Sequence, residues 1–128
     1  MESLAPLPES GPTAVAHGWW VVCLCADWCG TCRDYRPMFE ALARAHPSVR
    51  FEWVDVEDAA DLAGDLEVET FPTLLIADGR QARFLGPLLP QAAVLERLLA
   101  SLQAAASGRG AGDAAQQVFE RVRADRPV

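Results

Sequence analysis

The chain has 128 residues, 51% hydrophobic and 23% charged, a length for one compact domain and a composition that excludes wholesale disorder, collagen-like repeats and a disulfide-dense miniprotein. Eleven basic residues against eighteen acidic ones give a formal charge of −7, opposite to the footprint that phosphate backbones select, so no nucleic acid partner is expected. The basic residues are all arginine, which removes Schiff-base chemistry from a lysine side chain.

Residues 1–18 are rich in proline and glycine (Pro6, Pro8, Gly11, Pro12, Gly18) and read as an extended lead-in. With Glu2 and Glu9 and no basic or apolar block, the first twelve positions do not read as a secretory signal. No apolar run approaches membrane-spanning length. The expectation is a cytoplasmic protein, in which four cysteines point to redox chemistry, metal binding or burial rather than a structural disulfide framework.

Residues 19–26 are a continuous apolar run between Gly18 and Asp27, which predicts a strand covered on both faces. After Asp27-Trp28-Cys29-Gly30-Thr31-Cys32, the residues Tyr35, Met38, Phe39 and Leu42 recur at helical intervals and predict an amphipathic helix ending near His46-Pro47. Pro37 lies inside it and is expected to kink it. Residues 49–56 predict a second strand, with Phe51 and Trp53 on one face and Val54 and Val56 on the other. A short acidic helix is expected over 57–66, and 68–71 lead into Pro72. Strands at 73–77 and 81–85 around Asp78-Gly79 form a hairpin, closed by Gly86 and Pro87. Over 90–106, Val94, Leu95, Leu98, Leu99 and Leu102 make a helical stripe. A flexible linker follows at 107–112. Beyond it Asp113 is a candidate N-cap, and Val118, Phe119 and Val122 stand at helical spacing. That tail is expected to be optional to the fold, and the sequence leaves open whether it packs back or docks a partner.

This order puts Cys29 at a strand-to-helix junction, where the first helical turn has unpaired amides. The positive end of a helix favours thiolate over thiol, so Cys29 is the expected nucleophile. Cys32 lies one helical turn deeper, within reach of Cys29 and shielded from large substrates. It is expected to resolve the mixed disulfide that Cys29 forms with a partner.

Trp28-Cys29-Gly30-Thr31-Cys32, Pro37 in the following helix, Phe71-Pro72-Thr73 and Gly86 stand in an order and spacing that resembles the thioredoxin family, over residues 19–106. The resemblance implies an α/β thioredoxin fold: a single domain with a central mixed β-sheet flanked by helices, preceded by the lead-in 1–18 and followed by the linker and amphipathic tail 107–128. It implies that Cys29 attacks, Cys32 resolves and Trp28 caps the dithiol. Gly30 and Thr31 then belong to the substrate-binding surface. Pro72 becomes a cis-proline that leaves the Phe71 backbone to pair with an extended substrate, and Gly86 admits close backbone approach. The implied activity is thiol–disulfide exchange with protein disulfides, in electron transport and cell redox homeostasis. Electrons come from a reductase or a small thiol, with no bound cofactor or metal and no membrane, and the implied state is a monomer.

Departures from the family pattern qualify this. Thr31 replaces the usual proline, which shifts the expected reduction potential. Cys23 stands where the family has a buried aspartate that moves the proton of the resolving cysteine, and Trp53 replaces its lysine partner. Resolution must then rely on water or on Asp27, so Cys23 and Asp27 are expected to modulate the site and exchange is expected to be slower. Phe71 is bulkier than the family's aliphatic residue, which implies different partners.

Less functional readings compete. Cys23 and Cys25 point to one face of a strand, where free cysteine packs as a small hydrophobe. That placement, in a strand interior rather than a knuckle, disfavours four thiolates holding zinc or an iron–sulfur cluster. Eight carboxylates between positions 51 and 69 (Glu52, Asp55, Glu57, Asp58, Asp61, Asp65, Glu67, Glu69) read as a solvated face. An EF-hand counted from Asp55 would need glycine where Ala60 stands. His17 and His46 sit far from the cysteines in sequence, and Trp19, Trp20 and Trp53 read as strand packing. The competing function class is a non-enzymatic binding module that uses the Pro72 groove or the acidic face, its dithiol idle.

Overall fold

The apolar run becomes β1 (Trp20–Cys25), buried at all six positions. A computed structural model describes residues 18–26, 28–58, 71–105 and 110–126. The expected lead-in at 1–17, Asp27, positions 59–66 of the expected acidic helix and linker residues 107–109 lie outside the described residues. Glu57 and Asp58, which open that expected helix, lie in a turn.

β1 is central because both its edges are used. It pairs in parallel with β2 (Arg50–Asp55) and antiparallel with β3 (Thr73–Ala77), and β3 pairs antiparallel with β4 (Ala82–Pro87), giving the order β2-β1-β3-β4. A parallel neighbour requires a crossover, and helix α1 (Gly30–Ala45) supplies it. The β3–β4 hairpin turns where Asp78 accepts hydrogen bonds from the backbone N–H groups of Arg80 and Gln81 at 3.0 and 2.9 Å. Gly79 follows with φ 98°, a region that favours glycine.

Strand alternation divides the core in two. Val21, Cys23, Cys25, Leu74 and Ile76 face α1 and helix α2 (Ala92–Ala104), which contribute Tyr35, Phe39, Leu42, Leu95 and Leu99. Phe51 and Trp53 of β2 lie on this face, their ring centroids 5.3 and 5.6 Å from that of Phe39. Val54 and Val56 lie on the other, as the sequence alternation predicts.

That other face is covered by the tail. Helix α3 (Asp113–Asp125) buries Ala115, Val118, Phe119 and Val122 against Trp20, Val22, Leu24 and Leu75. Polar contacts pin it at both ends. Gln116 accepts from the Ala82 N–H at 2.8 Å and donates to the Arg80 carbonyl at 3.0 Å, and Ala111 N–H donates to the Ala82 carbonyl at 2.8 Å. At the far edge Arg126 donates to the Trp53 carbonyl at 2.9 Å and pairs with Glu52 at 3.1 Å. The tail thus spans the sheet from β4 to β2 and occupies backbone groups of an edge strand. A second strap comes from buried Arg83, which pairs with Asp78 at 3.4 Å and donates to the Ala105 carbonyl at the end of α2, where a cation suits the helix dipole. Among the described residues, no helix is long and apolar enough to cross a membrane.

Candidate active site at the β1–α1 junction

The chain leaves β1 in a turn closed by the Cys29 N–H donating to the Ala26 carbonyl at 3.0 Å. Cys29 then caps α1 from an extended conformation, φ −84° and ψ 121°, and its carbonyl accepts the first helical bond, from Arg33 N–H at 3.1 Å. Its thiol is free and half-buried. Gly30 and Thr31 are exposed, and Cys32, in the first helical turn, is buried. A helix starting at the motif, with no acidic residue in its first turn, leaves the positive end facing the cysteine.

Trp28 is 60% exposed and is held from two sides. Its ring meets Phe71 edge-on at 5.6 Å, and its Nε1 donates to Glu57 at 2.7 Å. The Phe71–Pro72 bond is cis, Pro72 is buried, and its carbonyl accepts from Leu88 N–H at 3.3 Å. Trp28, Cys29, Phe71 and Pro72 are therefore gathered at one end of the sheet. Gly86 pairs with Leu74 across the hairpin, and the nearest atoms to a Cβ there belong to the Phe84 ring, 3.3 Å away.

The disulfide differs from the sequence expectation. Cys32 is bonded to Cys25, with Cα atoms 5.9 Å apart, and Cys29 is left as a thiol. Cys25 is thus not the free hydrophobic filler that strand alternation suggests. Its side chain and that of Cys32 both point into the layer between β1 and α1, and the separation of their Cα atoms suits a bond. Cys23 does fill the core as a free thiol, with its Sγ 3.7 Å from that of Cys25. Burial pushes the Cys23 thiol far above the ordinary thiol range, with Arg36 opposing more weakly. Burial, and then the Cys23 charge, push the Tyr35 phenol upward in the same way.

Trp53 stacks under Arg36, whose guanidinium lies 5.1 Å from the ring centroid. Both line a cavity of about 140 Å³ with Ala26, Cys32 and Arg33, so solvent space abuts the Cys32 flank. Sequence reasoning misses Cys25 as a bonding partner, Glu57 as the anchor of Trp28 and Arg36 as a cation acting on Cys23. Only Arg36 leaves a signal, standing one helical turn beyond Cys32 on the motif's own helix.

A mixed sheet whose first parallel crossover delivers paired cysteines to a helix N-terminus, beside a cis-proline loop, defines a thioredoxin-fold domain. The family model described as Thioredoxin matches residues 12–98, and the chain belongs to the thioredoxin family. The chain is 38% identical over 84 residues to an H-type thioredoxin of Picea mariana, covering 64% of this chain and 65% of that one. Among solved structures, Fasciola hepatica thioredoxin superposes with a TM-score of 0.60 at 29% identity, over 67% of this chain and 83% of that one. Oxidised mitochondrial thioredoxin 3 of Saccharomyces cerevisiae does so with a TM-score of 0.59 at 28% identity, over 75% and 90%. The chain spans about half the length of several curated relatives it matches.

Proposed function

We propose that the protein is a thiol–disulfide oxidoreductase acting on protein disulfides. The observation that carries this reading is a free, half-buried Cys29 at the N-terminus of α1, one turn before a Cys32 already engaged in a disulfide. In the reduced protein the Cys29 thiolate attacks a substrate disulfide. One substrate sulfur becomes bonded to Cys29, and the other leaves as a thiolate and takes a proton. Cys32 then attacks the Cys29 sulfur, the first substrate sulfur leaves and is protonated, and the protein holds the Cys29–Cys32 disulfide. A reductase or a small thiol returns the two electrons.

The substrate lies extended over Trp28, Gly30, Thr31, Phe71 and Pro72, with Gly86 at the margin of the surface. With a thiol at Cys23, the proton of Cys32 leaves through water in the cavity lined by Ala26, Arg33, Arg36 and Trp53. The protein works as a monomer in the cytoplasm.

Turnover of a reporter protein disulfide with a dithiol reductant, compared between wild type and Cys29→Ser, tests the reading. Loss of turnover above the uncatalysed rate is expected in the variant. Equal rates would replace the enzyme with a binding module whose dithiol is idle.

A further inference from the structure

We infer that Cys25 is a third redox cysteine, which exchanges with Cys29 for the Cys32 sulfur and so stores the oxidised state as a buried bond between β1 and α1 while Cys29 is presented as a thiol. The inference rests on the oxidoreductase reading and extends it to a residue that the active-site motif does not contain.

Cys32 has two partners in reach. Cys29 stands three residues before it on the same helical turn, a spacing that brings side chains to about 5–6 Å. Cys25 stands across the layer with its Cα 5.9 Å from that of Cys32, inside the range that disulfides require, and is bonded to it. Both partners are fixed by backbone that the bond does not create. The Cys25 carbonyl accepts from Val56 N–H at 2.8 Å, and the Cys29 N–H donates to the Ala26 carbonyl at 3.0 Å.

The exchange needs no outside oxidant or reductant. Starting from the Cys29–Cys32 disulfide left by a turnover, the Cys25 thiol loses its proton and its sulfur attacks Cys32 Sγ. The Cys25–Cys32 bond forms, the Cys32–Cys29 bond breaks, and Cys29 leaves as a thiolate that takes up a proton from water. One disulfide and one thiol stand on each side of the step.

Two features favour the inward form. The thiol left over ends on Cys29 at the half-buried N-cap of α1, where water can solvate it. The bond, which carries no charge and no donor, ends beside Cys23 in the buried cluster between β1 and α1, where desolvation costs it little. Cys23 is a bystander, buried as a thiol with its sulfur 3.7 Å from that of Cys25. The consequence is a two-mode protein. With Cys32 free, a substrate captured by Cys29 is resolved internally. With Cys32 held by Cys25, a substrate captured by Cys29 waits for an outside thiol.

Disulfide mapping of the oxidised full chain tests this, because Asp27 separates the candidate partners. Cleavage before Asp27 and after Arg33 places Cys23 and Cys25 on one peptide, 1–26, and Cys29 and Cys32 on another, 27–33. After oxidation and alkylation of the remaining thiols in denaturant, the wild type is expected to yield the two peptides joined, with Cys29 alkylated. In Cys25→Ala the joined species is lost and 27–33 carries an internal bond, whereas in Cys23→Ala the joined species remains. The wild-type map stands by itself if a variant fails to fold. A wild type with only the internal 27–33 bond overturns the inference, as does a joined species that survives Cys25→Ala. In either case the oxidoreductase reading survives if turnover still depends on Cys29. Turnover unaffected by Cys29→Ser overturns both.

Discussion

Trp28 Nε1 donates to the Glu57 carboxylate at 2.7 Å across 29 residues of sequence, tying the exposed ring before the motif to the turn that follows β2. With Phe71 packed edge-on at 5.6 Å, the ring is oriented from two sides, and Glu57 is its polar anchor among the described residues. If substrate lies over this ring, Glu57→Ala loosens the binding surface without touching a sulfur. A hydrogen bond is worth about 1 kcal/mol net, a factor of about five. The expected result is a KM raised about fivefold with kcat nearly unchanged, measured on a reporter protein disulfide. An unchanged KM removes Trp28 from the binding surface.

Cys23 occupies the core beneath the site as a protonated thiol, because burial opposes its ionisation. It is therefore a poor proton acceptor for Cys32. Cys23→Asp places a carboxylate there, and the expected outcome is faster resolution of the mixed disulfide, by up to about a hundredfold if the carboxylate works as a general base. The same change buries a charge and lowers the urea midpoint. Stopped-flow exchange and equilibrium unfolding on the same variant read both effects. Resolution no faster than wild type means that water in the Arg33–Arg36 cavity already carries the proton.

The fold was legible because its signals are local and agree with one another. Residues 19–26 could be read as a doubly covered strand because nothing polar interrupts them, and the helical spacing of Tyr35, Phe39 and Leu42 names the face that α1 buries. The alternation at 51–56 sorted Phe51 and Trp53 from Val54 and Val56 onto the faces they occupy. What was not legible depends on tertiary distance. The stripe at Val118, Phe119 and Val122 states that a face must be covered without saying by what, and the answer, the second face of the sheet, exists only once the strands assemble. For the cysteines, spacing proposes a bond within the motif. The bond to Cys25 arises because the end of β1 passes behind the first turn of α1, which no short-range pattern encodes.

Alkaline stability follows from the same buried thiol. Cys23 and Tyr35 both have folded-state values raised by burial, above unfolded values of about 8.5 and 10. Below about pH 8.5 both states hold both protons and the stabilisation is complete. As pH rises further the unfolded chain releases protons that the folded chain keeps, and stability falls by about 1.4 kcal/mol per pH unit per group until the folded values are passed. Cys23→Ala removes one of these groups. Between pH 8 and pH 10 the variant is expected to lose about 2 kcal/mol less than wild type in urea unfolding without reductant. Parallel losses in the two proteins would mean that Cys23 ionises as readily folded as unfolded.

Helix α3, which the sequence suggests is dispensable, is put to use in the structure. Phe119 is buried, its ring centroid 5.6 Å from that of Trp20 in an edge-on contact, and Val118 and Val122 flank it in the same cluster. Without the helix, the β1 and β3 residues Trp20, Val22, Leu24 and Leu75 would lose this cover and face water. Truncating a buried phenylalanine to alanine costs about 3–5 kcal/mol, a large share of the roughly 5–15 kcal/mol that holds a domain folded. Phe119→Ala is therefore expected to shift the urea midpoint strongly downward, and a chain ending at residue 106 to lose cooperative unfolding. Gln116→Ala separates packing from pinning. It removes the bonds to Ala82 N–H and the Arg80 carbonyl while leaving the apolar face intact, so a loss of about 1–3 kcal/mol is expected. A truncated chain that unfolds cooperatively at the wild-type midpoint would show that the second face of the sheet is covered well enough without α3.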